Sequence, residues 1–192
     1  RTAACGRAVK SVDPNAEVFG GVFYGFNAYY NLQDSPDFST YSSQGWFING
    51  FLKALKDSST VAGTRLLDVI DLHWYPDLDI PVFNNNADSL TAATRMQVPR
   101  SLWDSTYAEP GWIGTWFSPI HLIPKVQSSI TSNYPGTKLS ITEFNYGAPN
   151  HISGGIALAD VLGIFGKYGV YLATQWGAVE GYQRAAYAVY RN

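Results

Sequence analysis

Residues 138 to 147 read KLSITEFNYG, and this stretch shows how the chain is built. An apolar run rich in β-forming residues ends in a carboxylate, an amide and two rings. Three other apolar runs also end in rings, but without the carboxylate, namely EVFGGVFYG (17–25), LLDVIDLHWYP (66–76) and VYLATQWG (170–177). Short apolar runs that end in Gly, Pro or Asn predict β-strands, so we expect four strands.

Helical patterns separate these runs. WFINGFLKALKDS places Phe47, Phe51 and Leu55 on one face, which predicts an amphipathic helix. Further helices are predicted at 2–12, 112–130, 154–168 and 182–191, with interruptions at Pro119 and Pro124 and an N-cap at Ser153. One helix followed by four strand–helix pairs predicts an α/β fold with a parallel sheet, and no internal domain boundary is visible. Residues 77–111 are predicted to form a long loop, a feature that is often functional.

Composition excludes several classes of protein. Thirteen basic and fifteen acidic residues without a basic cluster argue against nucleic acid or an anionic membrane as a partner. No apolar run reaches the roughly 20 residues of a membrane span, and the N-terminus lacks a secretion-signal pattern, so we expect the chain to begin after processing or in mid-protein. The single cysteine, Cys5, rules out an intrachain disulfide.

The ends of the four predicted strands share one character. Each offers rings together with neutral hydrogen-bonding groups: Tyr24, Phe26 and Asn27; His73, Trp74 and Tyr75; Asn145 and Tyr146; Gln175 and Trp176. In parallel α/β folds the ligand lies at the carboxyl ends of the strands. Rings stack on sugar faces while amides and phenols bond the hydroxyls, so these ends favour an uncharged carbohydrate.

Glu143 is the candidate for chemistry. It ends an apolar strand, it is one of four glutamates in the chain, and the neighbouring strand offers His73 and Tyr75 as hydrogen-bond donors. A structural carboxylate in an ion pair is the alternative interpretation of Glu143. Glu109, in the predicted long loop, is expected to face solvent, and the alternative is that it lines a cleft.

Other chemistries lack the residues that they need. The three histidines have no paired spacing, and there is no HExxH, GxSxG, dinucleotide or phosphate-binding motif. We therefore expect neither a cofactor nor a metal. Cys5 lies in a predicted helix before the first strand, which is a poor place for a nucleophile.

Five long strings carry a family resemblance: SVDPNAEVFG, LLDVIDLHWYPD, RSLWDSTYAEPGWIG, ITEFNYG and HISGGIALADVLGIFGKYGVYLATQW. They look like the catalytic domain of glycoside hydrolase family 44, which comprises bacterial endo-β-1,4-glucanases and xyloglucanases. The resemblance runs from about Ser11 to about Trp176. It implies a (β/α)₈ barrel of the TIM type, a retaining mechanism with two glutamates, an extracellular location and β-linked glucan or xyloglucan as the substrate.

By this resemblance Glu143 matches the family nucleophile at the end of strand seven, so the four predicted strands would be barrel strands five to eight. His73, Trp74 and Tyr75 would border the nucleophile, and Trp176 would be a platform beneath the sugar. Trp103 and Tyr107 would line the cleft from the long loop.

The acid/base glutamate of the family lies in an Asn-Glu-Pro motif, which this sequence lacks. We expect that motif upstream of Arg1, so that residues 1–192 form a partial catalytic domain without the N-terminal half of the barrel and without the accompanying β-sandwich. The chain is then predicted to need the missing half for hydrolysis. Two alternatives are a non-catalytic carbohydrate-binding fragment and an α/β binding protein unrelated to glycosidases.

Overall fold

Strands and helices alternate along the chain in the computed structural model, which describes residues 1–40, 42–80 and 83–191. The strands are β1 (Phe19–Phe23), β2 (Val69–Trp74), β3 (Lys138–Phe144) and β4 (Leu172–Gln175). The helices are α1 (Thr2–Val12), α2 (Phe26–Asn31), α3 (Phe47–Ala62), α4 (Ser89–Gln97), α5 (Trp112–Phe117), α6 (Leu122–Asn133), α7 (Ile152–Lys167) and α8 (Gly181–Tyr190). Short 3₁₀ turns cover Phe38–Thr40, Ser42–Gln44 and Val98–Leu102.

The four strands form one sheet in the order β1-β2-β3-β4. β1 pairs with β2 in parallel, with Phe19 opposite Val69. Each consecutive pair of strands is connected through at least one helix, as parallel neighbours require. The predicted α/β fold with a parallel sheet is therefore confirmed.

The contacts divide the chain into two compact units. Unit 1 comprises Arg1–His73 and Lys125–Thr142, and unit 2 comprises Trp74–Pro124 and Glu143–Asn192. The chain passes from one unit to the other at three places, within β2, within α6 and within β3. Because each unit is made of two separate stretches, neither is a contiguous domain, and the assignment of residues 1–192 to one partial domain stays a prediction.

Unit 1 is built around the apolar face of α3, as its sequence period predicts. Leu52 and Leu55 are buried, and the ring of Phe23 packs edge-on against Phe47 and Phe51 at centroid distances of 5.9 and 5.3 Å. α3 ends at Gly63, which adopts the left-handed conformation (φ 66°) that terminates many helices.

A buried carboxylate connects two strands within unit 1. Asp71 of β2 accepts hydrogen bonds from the Ser140 hydroxyl (2.7 Å), the Thr142 hydroxyl (2.5 Å) and the Thr142 backbone N–H (3.1 Å) of β3. These bonds fix β3 at the residue immediately before Glu143. The buried carboxylate thereby makes its hydrogen bonds to β3 close to Glu143.

Unit 2 is built around α7, which contacts α4 and α8. Gly154 lies so close to the preceding loop that a Cβ atom would come within 2.1 Å of the carbonyl oxygen of Ala148. The buried guanidinium of Arg95 on α4 donates to the Ser153 hydroxyl (2.6 Å) and to the carbonyl of Asn86 (3.1 Å). These bonds satisfy guanidinium N–H groups that would otherwise be costly to bury.

The predicted long loop at 77–111 is wrong. It contains α4, whose N-cap Asp88 accepts the backbone N–H of Thr91 (3.0 Å), and the 3₁₀ turn Val98–Leu102. The helix α4 is only nine residues long and weakly amphipathic, so the surrounding Asn, Asp and Pro residues masked it.

Two helix boundaries also differ from the prediction. The N-cap of α7 is His151 rather than Ser153, and its ring Nδ1 accepts the backbone N–H of Ser153 (3.3 Å). The predicted break at Pro119 is confirmed between α5 and α6. The predicted interruption at Pro124 is wrong, because Pro124 lies in the first turn of α6, where a missing N–H removes no helical hydrogen bond.

Across the three described ranges, no helix is both long enough and apolar enough to cross a bilayer.

Candidate active site

The carboxyl end of β3 places Glu143 next to a phenol. The hydroxyl of Tyr75, the residue that follows β2, donates a hydrogen bond to Oε2 of Glu143 (3.1 Å). Both residues belong to unit 2 and are half-buried. The expectation that the neighbouring strand supplies a donor to Glu143 is confirmed for Tyr75, and this bond restricts rotation of the carboxylate plane.

The environment of Tyr75 keeps its phenol protonated. Burial raises the pKa of Tyr75 well above its usual range, and the hydrogen bond to Glu143 and the charge of Glu143 raise it further. Its ring packs against Phe83 at a centroid distance of 6.2 Å and an interplanar angle of 68°. Tyr75 therefore acts as a fixed donor over the neutral pH range.

Beyond Glu143, the side chain of Asn145 connects the end of β3 to the residue that follows β4. Its Nδ2 donates to the carbonyl of Trp176 (2.8 Å), and its Oδ1 accepts the N–H of Gly147 (2.7 Å). The N–H of Trp176 donates to the carbonyl of Phe144 (3.0 Å). These bonds hold the backbone of Trp176 while its indole stays 62% exposed.

Trp74 and Tyr146 lie deeper than a sugar-binding role requires. The side chain of Trp74 is only 1% exposed and that of Tyr146 only 2%. The indole N–H of Trp74 has no hydrogen-bond partner among the described residues. In this structure both rings contribute to the core of unit 2, so their predicted contact with substrate has little support.

Trp103 and Tyr107 have cationic partners. The Lys167 ammonium lies 5.3 Å from the ring centre of Trp103, and the Arg100 guanidinium lies 4.8 Å from that of Tyr107. Lys167 is the last residue of α7, so Trp103 lies toward the end of that helix opposite to His151. This placement does not support the prediction that Trp103 lines a cleft at the strand ends.

The two remaining predicted residues belong to unit 1. Tyr24 follows β1 and its ring is exposed, whereas His73 lies within β2 and is half-buried. Each lies at or next to the end of a strand, as predicted. Their role in binding stays a prediction.

Glu109 does not face solvent, contrary to the expectation from sequence. Its side chain is 3% exposed, and it is held by the Ser101 hydroxyl (2.5 Å) and the Asp77 backbone N–H (3.3 Å). Burial is the largest influence on this carboxyl and raises its pKa to about 7. Glu109 is thus a structural carboxyl beneath the segment that follows β2.

Two exposed tryptophans were missed by the sequence analysis. Trp112 and Trp116 are four residues apart on α5, and Trp116 is 77% exposed. The indole N–H of Trp112 donates to the carboxylate of Asp77, which follows Tyr75 by two residues. The signal was present in the string EPGWIGTW, because a helical spacing of four places both rings on one side.

Known proteins are similar to this chain in sequence and in structure. The sequence profile of Glycoside hydrolase family 44 matches residues 1–78. Endoglucanase A of Paenibacillus lautus is 54% identical over 97% of the chain, and the Beta-mannanase/endoglucanase A of Caldicellulosiruptor saccharolyticus is 49% identical over 97%. The chain is related to glycoside hydrolase family 44.

A family 44 structure agrees with the fold over the whole chain. The Paenibacillus polymyxa xyloglucanase from this family, solved with xyloglucan, superposes on 100% of the chain with a TM-score of 0.94 and 46% identity. The chain spans 28% and 15% of the two curated relatives and 39% of this solved family 44 chain. The resemblance to family 44 that the sequence predicted is therefore confirmed.

Proposed function

We propose that the chain is part of a retaining glycoside hydrolase that cleaves β-1,4-linked glucan or xyloglucan, with Glu143 as its nucleophile. The observation that carries this proposal is the geometry at the end of β3. There Glu143 is oriented by the Tyr75 hydroxyl at 3.1 Å, and the next strand ends in an exposed indole, Trp176. The similarity to an endoglucanase and to a xyloglucanase supports the same substrate class.

The proposed fold is the second half of a (β/α)₈ barrel, with β1 to β4 as barrel strands five to eight. Its support is the sheet order β1-β2-β3-β4 with helical connections and the 0.94 TM-score to a family 44 xyloglucanase. In such barrels the active site lies at the carboxyl ends of the strands, where Glu143 and Trp176 are found. The partner of this half would be the N-terminal half of the same barrel.

The chemistry proposed for Glu143 is double displacement. One carboxylate oxygen attacks the anomeric carbon as the glycosidic bond breaks, and a second carboxyl group donates a proton to the departing oxygen. Water, deprotonated by that second group, then attacks the glycosyl–Glu143 ester and releases the sugar with its configuration retained. The Tyr75 hydrogen bond holds Oε2 during the attack.

The second carboxyl group is proposed to lie outside this chain. A retaining enzyme holds its two carboxyls about 5 to 5.5 Å apart across the scissile bond, in contact with substrate. Glu109, a buried glutamate of unit 2, is only 3% exposed and already bonded to Ser101 and Asp77. Substrate cannot reach it, and this favours a second candidate function, a segment that binds glucan without cleaving it.

A labelling experiment tests the role of Glu143. A 2-deoxy-2-fluoro cello-oligosaccharide with a good leaving group should form a stable ester on Glu143 in a protein that continues upstream of Arg1, and peptide mass spectrometry should locate it. Glu143→Gln should abolish the label and the release of reducing ends from xyloglucan while oligosaccharide binding persists. Glu180→Gln, at an exposed glutamate of the same unit, is the matched control.

The result that contradicts the assignment is a label on another residue, or hydrolysis retained by Glu143→Gln. Reducing-end release by the chain alone separates the two candidate functions. Hydrolysis by the chain alone would show that its own carboxylates suffice. Binding without hydrolysis supports the need for the missing half. A polymeric substrate of this size is met outside the cell, so we propose a secreted protein.

A further inference from the structure

A ring of amide hydrogen bonds lies behind the proposed sugar-binding face of unit 2. It begins at Asn145, whose Oδ1 accepts the N–H of Gly147 (2.7 Å), and the Gly147 carbonyl accepts Nε2 of Gln183 (3.2 Å). Oε1 of Gln183 accepts Nε2 of Gln175 (3.0 Å). The residue after Gln175 is Trp176, whose carbonyl accepts Nδ2 of Asn145 (2.8 Å), and this closes the ring.

Gln183 is the buried member of this amide ring. It lies on α8 and is 2% exposed, and both ends of its side-chain amide are bonded. The bonding pattern also fixes which end is oxygen, because only the NH₂ group can donate to the Gly147 carbonyl. Leaving a buried carbonyl and a buried amide without partners is costly, so the ring resists opening.

The start of α8, which carries Gln183, is itself tightly docked. The N–H of Tyr182 donates to the carbonyl of Pro149 (2.8 Å), and a Cβ on Gly181 would come within 2.2 Å of that same oxygen. A Cβ on Gly155 of α7 would come within 2.8 Å of the Tyr182 side chain. Gln183 therefore reaches the ring from a rigid support.

Trp176 needs such a support because little else holds it. β4 has only four residues, all of them exposed or half-exposed, and Leu172 is 38% exposed. Within the described part of the chain, no hydrogen bond or ring contact involves the indole of Trp176. Its position is set through its backbone, by Phe144 and by the amide ring.

We propose that Gln183 and Asn145 are positioning residues, which hold Trp176 at the end of β3 so that its indole forms a fixed stacking surface next to Glu143. This inference rests on the proposed function and extends it to α8, beyond the segments that carried the resemblance. It also gives Asn145 a different role from the predicted contact with substrate. Its side-chain amide binds the backbone of Trp176 instead of a sugar hydroxyl.

Fluorine NMR of the chain labelled with 5-fluorotryptophan tests the positioning without any sugar. The sequence has six tryptophans, and Trp176→Phe assigns the resonance of Trp176. Gln183→Leu should shift and narrow that resonance and leave the other five in place. Gln97→Leu, the same change at an exposed glutamine of unit 2, should leave all six unchanged.

An unchanged Trp176 resonance in Gln183→Leu would overturn the proposal. If Gln183→Leu unfolds the chain, which the displacement of all six resonances would reveal, Asn145→Ala gives the deciding spectrum, since Asn145 is only half-buried. A shift of the Trp176 resonance alone supports the proposal, and no shift contradicts it.

A double-mutant cycle then connects positioning to sugar binding. With a xyloglucan oligosaccharide, Gln183→Leu should weaken binding by roughly five- to tenfold, the usual effect of losing a hydrogen bond or two. In the Trp176→Ala background, which has no ring at this position, the same change should have almost no effect, because Gln183 acts through the ring of residue 176. Equal losses in both backgrounds would mean that Gln183 has only a structural role.

The fluorine spectrum and the binding measurement test different proposals. A wild-type chain that binds no oligosaccharide would contradict the proposed function. The fluorine spectrum would still decide whether Gln183 positions Trp176.

Discussion

Replacing Glu109 by Gln should make the chain more stable at neutral and alkaline pH. The pKa of this carboxyl is raised to about 7, chiefly by burial, against 4.5 in an exposed glutamate, and the nearby charge of Asp77 also raises it. Ser101 and the Asp77 N–H, which bond the ionised form, offset only part of this effect. The other ionisable groups around Glu109 are Tyr107 and, beyond it, Arg100.

The magnitude follows from the two pKa values. Below pH 4.5 the carboxyl is protonated in both folded and unfolded chains. Between 4.5 and about 7 the unfolded chain releases its proton while the folded chain keeps it, so stability falls as the pH rises. The two pKa values differ by about 2.5, and one pKa unit corresponds to roughly 1.36 kcal/mol. The free energy of unfolding therefore falls by about 3 kcal/mol. This loss is complete above about pH 7.

Gln reproduces the neutral carboxylic acid at this position. Its oxygen can accept the Asp77 N–H and its NH₂ group can donate to the Ser101 hydroxyl, so both partners stay bonded. We therefore expect Glu109→Gln to match the wild-type stability near pH 4.5 and to exceed it by about 3 kcal/mol at about pH 8. Urea unfolding, followed by circular dichroism from about pH 5 to about pH 8, measures the difference.

Two results would refute this reasoning. One is a stability difference between variant and wild type that does not change with pH. The other is a Glu109 carboxyl carbon that titrates near 4.5 by NMR. The exposed Glu180→Gln is the control for loss of a negative charge.

Three further predictions concern single side chains. Gly154→Ala should destabilise the chain by about 2 kcal/mol or more in urea unfolding, because its Cβ would meet the Ala148 carbonyl at 2.1 Å. Under the proposed function, Tyr75→Phe in a protein that continues upstream of Arg1 should reduce the release of reducing ends from xyloglucan roughly tenfold, since one charge-assisted hydrogen bond to Glu143 is lost. Trp116→Ala should leave the melting temperature unchanged, because the ring is 77% exposed, while it weakens retention in xyloglucan affinity gels.

The sequence predicted the long elements well, and the short ones poorly. α1 was placed at 2–12, where it lies, and each predicted strand contains the observed one. The helices α2 and α4 were missed. α2 has six residues, fewer than two turns, so no apolar period can develop in it. α4 depends on the cap at Asp88 rather than on a strong apolar face.

The sequence predicted which residues lie at the strand ends, but not which of their side chains are buried and which are exposed. The sequence correctly indicated Tyr75 as a donor to Glu143 from the neighbouring strand. The sequence pattern could not show that Trp74 is buried, because both faces of β2 are covered. The burial of Glu109 depends on close packing after it. A Cβ on Gly114 would come within 1.8 Å of the Glu109 carbonyl, and sequence pattern carries no such information.

Two groups of hydrogen bonds hold the residues near the strand ends, and their responses to pH should differ. The Tyr75 phenol and the amides of Asn145 and Gln183 do not change charge near neutral pH, so the position of Trp176 should not depend on pH there. Glu109 does titrate there, and it holds the backbone of Asp77, which binds the indole of Trp112. A loss of glucan affinity above about pH 7 would then originate at α5 rather than at Glu143, and Glu109→Gln would remove it.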